Sequence, residues 1–167
     1  MREPDPPALE DRRKPVLILG LGNPLYGDDG VGPAVIQRLQ ERVLPPDVEL
    51  LDGGTGGLGL LDVIAGRRLV VVVDAAEMGR PAGTAARVTP EQARLLGDQA
   101  PLSPHQVGLA EVLALAERLG MAPAQVIIWA LQPAYLGWKH GLSPEVERSL
   151  PGLVVAIMAE IGIQQAP

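Results

Sequence analysis

Apolar residues along this chain come in two rhythms, and the rhythm changes several times. Pro15 to Gly20 is a short unbroken apolar run stopped by glycine, the pattern of a buried strand. Val31, Val35, Leu39 and Val43 then recur every four residues with Ile36 beside them, which is one face of a helix. Pro33 is tolerable in its first turn, and Pro45-Pro46 stops it. Val48 to Leu51 predicts a second strand, and Leu58, Leu61 and Ile64 a short helix before Arg67. Leu69 to Val73 reads as the central strand. After a turn at Pro81-Ala82-Gly83, Thr84 to Val88 predicts an edge strand and Pro90 to Leu96 a short helix. Leu109, Val112, Leu113 and Ala116 mark a long helix, and Val126 to Leu131 another strand. Ser143-Pro144-Glu145 opens a last helical region, which Pro151 starts afresh or kinks and which runs to about Ile161. This alternation predicts an α/β protein: a three-layer, mostly parallel twisted sheet of about five strands with helices on both faces, of the phosphorylase/hydrolase-like kind.

Composition narrows the picture. The 167 residues make one domain by length, expected over 15–167, and 1–14 is charged and proline-rich and reads as a disordered tail. Phe is absent and aromatics are 2%, so the core is built from Val, Leu, Ile and Ala. A net charge of −6 with scattered arginines argues against a nucleic-acid partner. No cysteine means no disulfide, no thiolate metal site and no thiol nucleophile. No apolar run is long enough for a signal-peptide core or a membrane span, so the expectation is a cytoplasmic protein without membrane attachment.

Ligands of a parallel sheet sit beyond the carboxyl ends of its strands. Asp29, Asp52 and Asp74 all follow predicted strands and so belong to that edge. With two histidines and no cysteine, a transition metal here would need carboxylates and an imidazole. His105 lies in Ser103-Pro104-His105-Gln106, a helix start with Ser103 as N-cap, Pro104 first and Gln106 as its capping-box partner. A helix N-terminus disfavours an imidazolium, which leaves His105 neutral and able to ligate. Plainer roles compete at each position. Asp28 and Asp29 suit a helix cap, Asp74 and Asp52 suit hydrogen-bonded strand ends, and His105 suits a solvent-facing first turn. His140, beside Trp138 and Lys139, reads as a loop residue. Asp52-Gly53-Gly54-Thr55-Gly56-Gly57 holds four glycines in six residues, a loop whose backbone can approach a bound chain; Asp52, Gly53, Gly54 and Thr55 are the candidate substrate-binding residues. Gly20-Leu21-Gly22 is not a dinucleotide loop, because residue 25 is Leu25 where a third glycine belongs.

Four blocks in order carry a family resemblance: Leu19 to Leu25 with Asp28-Asp29-Gly30-Val31-Gly32, then Leu51 to Thr55 with Leu60-Leu61, then Val73-Asp74-Ala75, then Ser103 to Leu109, with Gly141 to Pro144 fitting the tail. From about Val16 to Ile161 the chain resembles the hydrogenase maturation proteases. The resemblance implies an endopeptidase that clips the C-terminal extension from the large-subunit precursor of a nickel-iron hydrogenase after nickel insertion. It implies Asp29, Asp74 and His105 as the catalytic, metal-contacting trio. The nickel comes with the substrate, zinc or cadmium can stand in for it in crystals, and no organic cofactor is expected.

Two mechanisms stay open. The nickel either positions the precursor while a carboxylate activates water, with Asp28 and Asp52 as supporting or base candidates, or it polarises the carbonyl or water itself. Without Cys, and with Ser103 spent as a cap, an acyl-enzyme is not expected. A non-enzymatic nickel-binding or hydrogenase-binding chaperone using the same trio is one alternative. A remote one is a peptidyl-tRNA hydrolase-like enzyme, which shares Gly20 to Pro24. That family places a histidine within the next few residues, whereas this chain has none before His105 and is acidic.

Overall fold

The computed structural model describes residues 13–97 and 104–162, with backbone alone at 94–97 and 104–107. Five strands form one sheet in the order β2-β1-β3-β5-β4: β1 (Val16–Gly20), β2 (Val48–Asp52), β3 (Leu69–Ala75), β4 (Ala85–Val88) and β5 (Gln125–Leu131). All neighbours are parallel except β4, which runs antiparallel to β5 at one edge. The helices are α1 (Val31–Gln40), α2 (Leu60–Ile64), α3 (Pro90–Gly97), α4 (Pro104–Arg118) and α5 (Pro144–Glu160). The α/β reading and its three layers follow from this arrangement.

The period of two along the strands decides which helix meets which side chain. Val16 and Ile18 of β1, with Val71 and Val73 of β3, join α1 and α5 in one core. Leu17 and Leu19, with Val70 and Val72, join Leu60 and Ile64 of α2 and Leu109, Val112 and Ala116 of α4 in a second core. Both faces of the central strands are buried, which is why they read as continuous apolar runs. Arg67 is also buried: its guanidinium meets Glu49 at 2.6 Å and donates to the carbonyls of Lys14 and Val63. Lys14 Nζ reaches the Val48 carbonyl, so residues 13–14 are tied to the domain, whereas 1–12 lie outside the described residues.

Several expectations change in detail. Helix α1 ends at Gln40, and Val43, expected on its apolar face, is 95% exposed. The residue before a proline is steered out of the helical region, so Pro45-Pro46 unwinds the chain before it can complete that face. The short helix α2 starts at Leu60, with Leu58 outside it and exposed, and it buries Leu60 and Ile64. Helix α5 runs unbroken through Pro151, on its exposed side, where the missing N–H removes one helical bond. At its start Ser143 is the N-cap, as its sequence implies.

Candidate active site at the carboxyl edge of the sheet

Gly20 pairs with both Asp52 and Val73 across the parallel ladder, so β1, β2 and β3 end together. Asp74 follows Val73, still inside β3 rather than in the loop beyond, and is fully buried. Its parity with Val70 and Val72 puts it on the α2/α4 side of the sheet. Helix α4 begins on that side with His105 in its first turn. An added Cβ at Gly108 would lie 3.9 Å from the Gly57 nitrogen, which brings the glycine-rich loop beside the start of α4.

Asp29 sits in a 3₁₀ turn over Gly27–Gly30, between β1 and α1, and is 6% exposed. Its Oδ2 accepts a hydrogen bond from the Asn23 N–H at 2.7 Å. The turn is pressed against the strand ends. Gly22 has φ +124°, and a Cβ there would collide with the Asp29 carbonyl and come within 3.6 Å of its carboxyl carbon. Leu21 N–H in turn donates to the Val73 carbonyl at 2.8 Å. A continuous chain of contacts from Asp29 through Gly22, Leu21 and Val73 ties the turn that carries Asp29 to the end of β3, where Asp74 follows Val73. Gly20 and Gly32 make this corner tight: a Cβ on Gly32 would strike the Leu21 backbone and stand 2.8 Å from the Val73 carbonyl. Here glycines serve close helix-to-strand packing, not phosphate.

Asp28 is the residue whose role the sequence obscures. Its carboxylate is fully buried and accepts from Ala134 N–H (2.8 Å), Tyr135 N–H (2.9 Å), Ser143 N–H (2.6 Å) and Ser143 Oγ (2.9 Å). Enclosed and saturated with donors, it is a clamp between the 3₁₀ turn and the segment leading to α5, not a base for water. The N-cap position of α1 is Gly30, and both aspartates lie in the 3₁₀ turn before it. Gln132, which the sequence gave no reason to single out, is a second buried tie: its Oε1 accepts from Met78 N–H and Arg80 N–H, and its Nε2 donates to Glu77.

Asp52 goes a different way from Asp74. Its parity matches Val48 and Leu50, on the α1 side. There it lines a cavity of about 470 Å³ with Ile36, Gln37 and Gln40 of α1 and with His140. Its Oδ1 also accepts from Gly54 N–H at 2.9 Å, closing an Asx turn that shapes the glycine loop. The loop is fixed at its base by Gly53 N–H to the Gly20 carbonyl and by Gly22 N–H to the Gly54 carbonyl. Thr55 lies further along it, exposed. Among the described residues no three His, Cys, Asp or Glu side chains stand together as a metal cluster; the His105 side chain is outside that set, as is the expected cap Ser103.

Buried carboxylates at the carboxyl ends of parallel strands, beside a glycine loop, are the arrangement of an α/β protein whose ligands sit at that edge of the sheet. Residues 33–160 match the family model for hydrogenase maturation proteases. The chain is 36% identical over 157 residues to the hydrogenase 2 maturation protease of Escherichia coli, across 91% of this chain and 95% of that one. It is 39% identical over 154 residues to the hydrogenase expression/formation protein HupD of Thiocapsa roseopersicina, across 89% and 69%. The structure of the hydrogenase maturating endopeptidase HybD from Escherichia coli superposes with a TM-score of 0.79 at 34% identity, over 89% of this chain and 94% of that one. A nickel-iron hydrogenase maturation protease from Thermococcus kodakarensis gives 0.71 at 29% identity, over 90% and 94%. The chain belongs to the hydrogenase maturation protease family and is a peptidase.

Proposed function

We propose that this peptidase removes the C-terminal extension of a nickel-iron hydrogenase large-subunit precursor once nickel has been inserted, and that Asp29, Asp74 and His105 contact the nickel the precursor carries. The observation that carries the reading is the corner itself. The turn that carries Asp29 packs on the ends of β1 and β3 beside Asp74, and α4 starts with a histidine on the side of the sheet to which Asp74 belongs, which supports a shared site. Two carboxylates and one imidazole are an open donor set, without the thiolates of a tight resident site. They suit an ion that arrives partly coordinated by its own protein. Asp52, Gly53, Gly54 and Thr55 would line the path of the bound chain, with backbone groups of the glycine loop turned to its peptide units. The family relationship favours this reading over a chaperone or carrier role, and the acidic chain and missing early histidine speak against a tRNA substrate. Among the described residues no helix is long and apolar enough to cross a membrane.

The test incubates purified protein with nickel-loaded precursor and follows tail release by mass spectrometry. A single C-terminal cut by the wild-type protein, lost in Asp74→Asn, is expected. Tight binding of nickel-loaded precursor with no cut under any condition would return the chaperone reading.

A further inference from the structure

This chain has no Phe, two Trp and two Tyr, and three of those four aromatics lie outside the core, on the loops that flank Asp29. Tyr26 and Trp138 stack edge to face with ring centroids 5.5 Å apart. Around them Leu25 is 54% exposed, Tyr135 49%, Leu136 38% and Trp138 79%. A core built without Phe leaves room for these rings, yet they are held at the surface. Scattered exposed apolar residues need no explanation, but a cluster of large ones beside a reactive corner does.

The cluster is built, not loose. Asp28 takes the Ala134 and Tyr135 N–H groups, Gly27 N–H donates to the Lys139 carbonyl, and Lys139 N–H donates to the Leu25 carbonyl. Gly27, at φ +61°, lies against the Tyr135 backbone, and the Tyr135 ring rests over Gly137. Rings already held by a neighbour, Trp138 against Tyr26 and Tyr135 over Gly137, lose less entropy when they are covered. The patch is also continuous with the site: the Tyr26 carbonyl accepts the Asp29 N–H at 3.4 Å. An extended chain advances about 3.3 Å per residue, so a polypeptide lying across Asp29 reaches the patch within a few residues of that point.

We propose that Leu25, Tyr26, Tyr135, Leu136 and Trp138 form a docking face that grips an apolar, extended stretch of the substrate polypeptide beside the bond to be cut. It rests on the reading of this chain as a precursor-processing peptidase and assigns the residues that hold the substrate's chain near the corner. Trp138 is the anchor, being the largest and most exposed ring; Asp28 is a positioning residue that keeps the two loops in register.

The test measures equilibrium binding and steady-state processing of nickel-loaded large-subunit precursor by wild-type protein, Trp138→Ala, Tyr135→Ala/Leu136→Ala, and Val43→Ala at an exposed position beyond the end of α1. Melting curves check that each variant is folded, as expected for surface changes. For Trp138→Ala a rise of about tenfold or more in Kd is expected, with KM rising in parallel and the loss not falling on kcat. Val43→Ala should bind as wild type. Unchanged Kd in both patch variants, with cleavage intact, overturns the docking face and leaves the peptidase reading standing. So does a loss of concentration-dependent self-association with precursor affinity unchanged, which would make the patch a contact between copies of this chain. Binding that Trp138→Ala weakens, without any cut by wild-type protein, sinks the precursor-processing reading and leaves the patch as a surface that binds the precursor without a bond to cut. Wild-type protein that neither binds nor cuts overturns both.

Discussion

Asp28 accepts hydrogen bonds from three backbone N–H groups and a hydroxyl, while its neighbour Asp29 accepts from the Asn23 N–H beside the ends of β1 and β3. Asparagine at each position is nearly isosteric, so the pair separates structure from chemistry. Asp28→Asn turns an acceptor into a donor among donors and removes the charge they share. It is expected to cost roughly 2–4 kcal/mol, read as a lower urea midpoint at unchanged slope. Asp74→Asn, Asp29→Asn and His105→Ala are expected to leave soluble protein and to lower processing by more than the roughly 10–100-fold usual for losing a group that only supports a metal ligand. Asp29→Glu keeps part of the activity, because a longer carboxylate still reaches an ion. Full processing by His105→Ala removes the central residue of the proposed site. Two adjacent aspartates look alike in a sequence; only their partners, more than a hundred residues away for Asp28, tell them apart.

Elements meet here with little clearance. The start of α1 lies so close to β1 and β3 that Gly32 cannot carry a side chain without moving the Leu21 and Val73 backbone. Gly32→Ala is expected to lower stability by about 1–3 kcal/mol, measured by urea unfolding, and to disturb processing because the 3₁₀ turn with Asp29 leads directly into that helix. At the antiparallel edge, Arg87 of β4 grips Glu160 at the end of α5 at 2.5 Å, and that hydrogen bond raises the arginine pKa further above its ordinary value. The periodic pattern finds every strand and α-helix but not the 3₁₀ turn at Gly27–Gly30, because burial on one face or both leaves its mark on residue choice only over a longer run. It overreaches where a residue of the right type falls in phase but past the contact. Val43 keeps the helical spacing after the helix has ended, and Leu58 precedes a helix whose buried positions are Leu60 and Ile64.

For the whole molecule the proposed nickel contact makes nickel insertion a checkpoint. Chelator-stripped protein is expected to cut nickel-loaded precursor and to spare the nickel-free form, followed by mass spectrometry. Equal cleavage of both refutes the checkpoint, and activity returning only when zinc is given back to the protein makes it an ordinary metalloprotease. The sequence by itself determined the α/β architecture, the strand ends as the place for chemistry, and the family blocks around Asp29, Asp74 and His105, because apolar rhythm, glycine and turn residues act locally along the chain. Tertiary structure alone decided that Asp28 is a clamp, that Asp52 and Asp74 lie on opposite sides of the sheet's edge, and that the loops at 25–26 and 135–138 make one aromatic face. Those facts depend on strand parity at a common edge and on hydrogen bonds between distant segments, and no local pattern along the chain encodes such pairings.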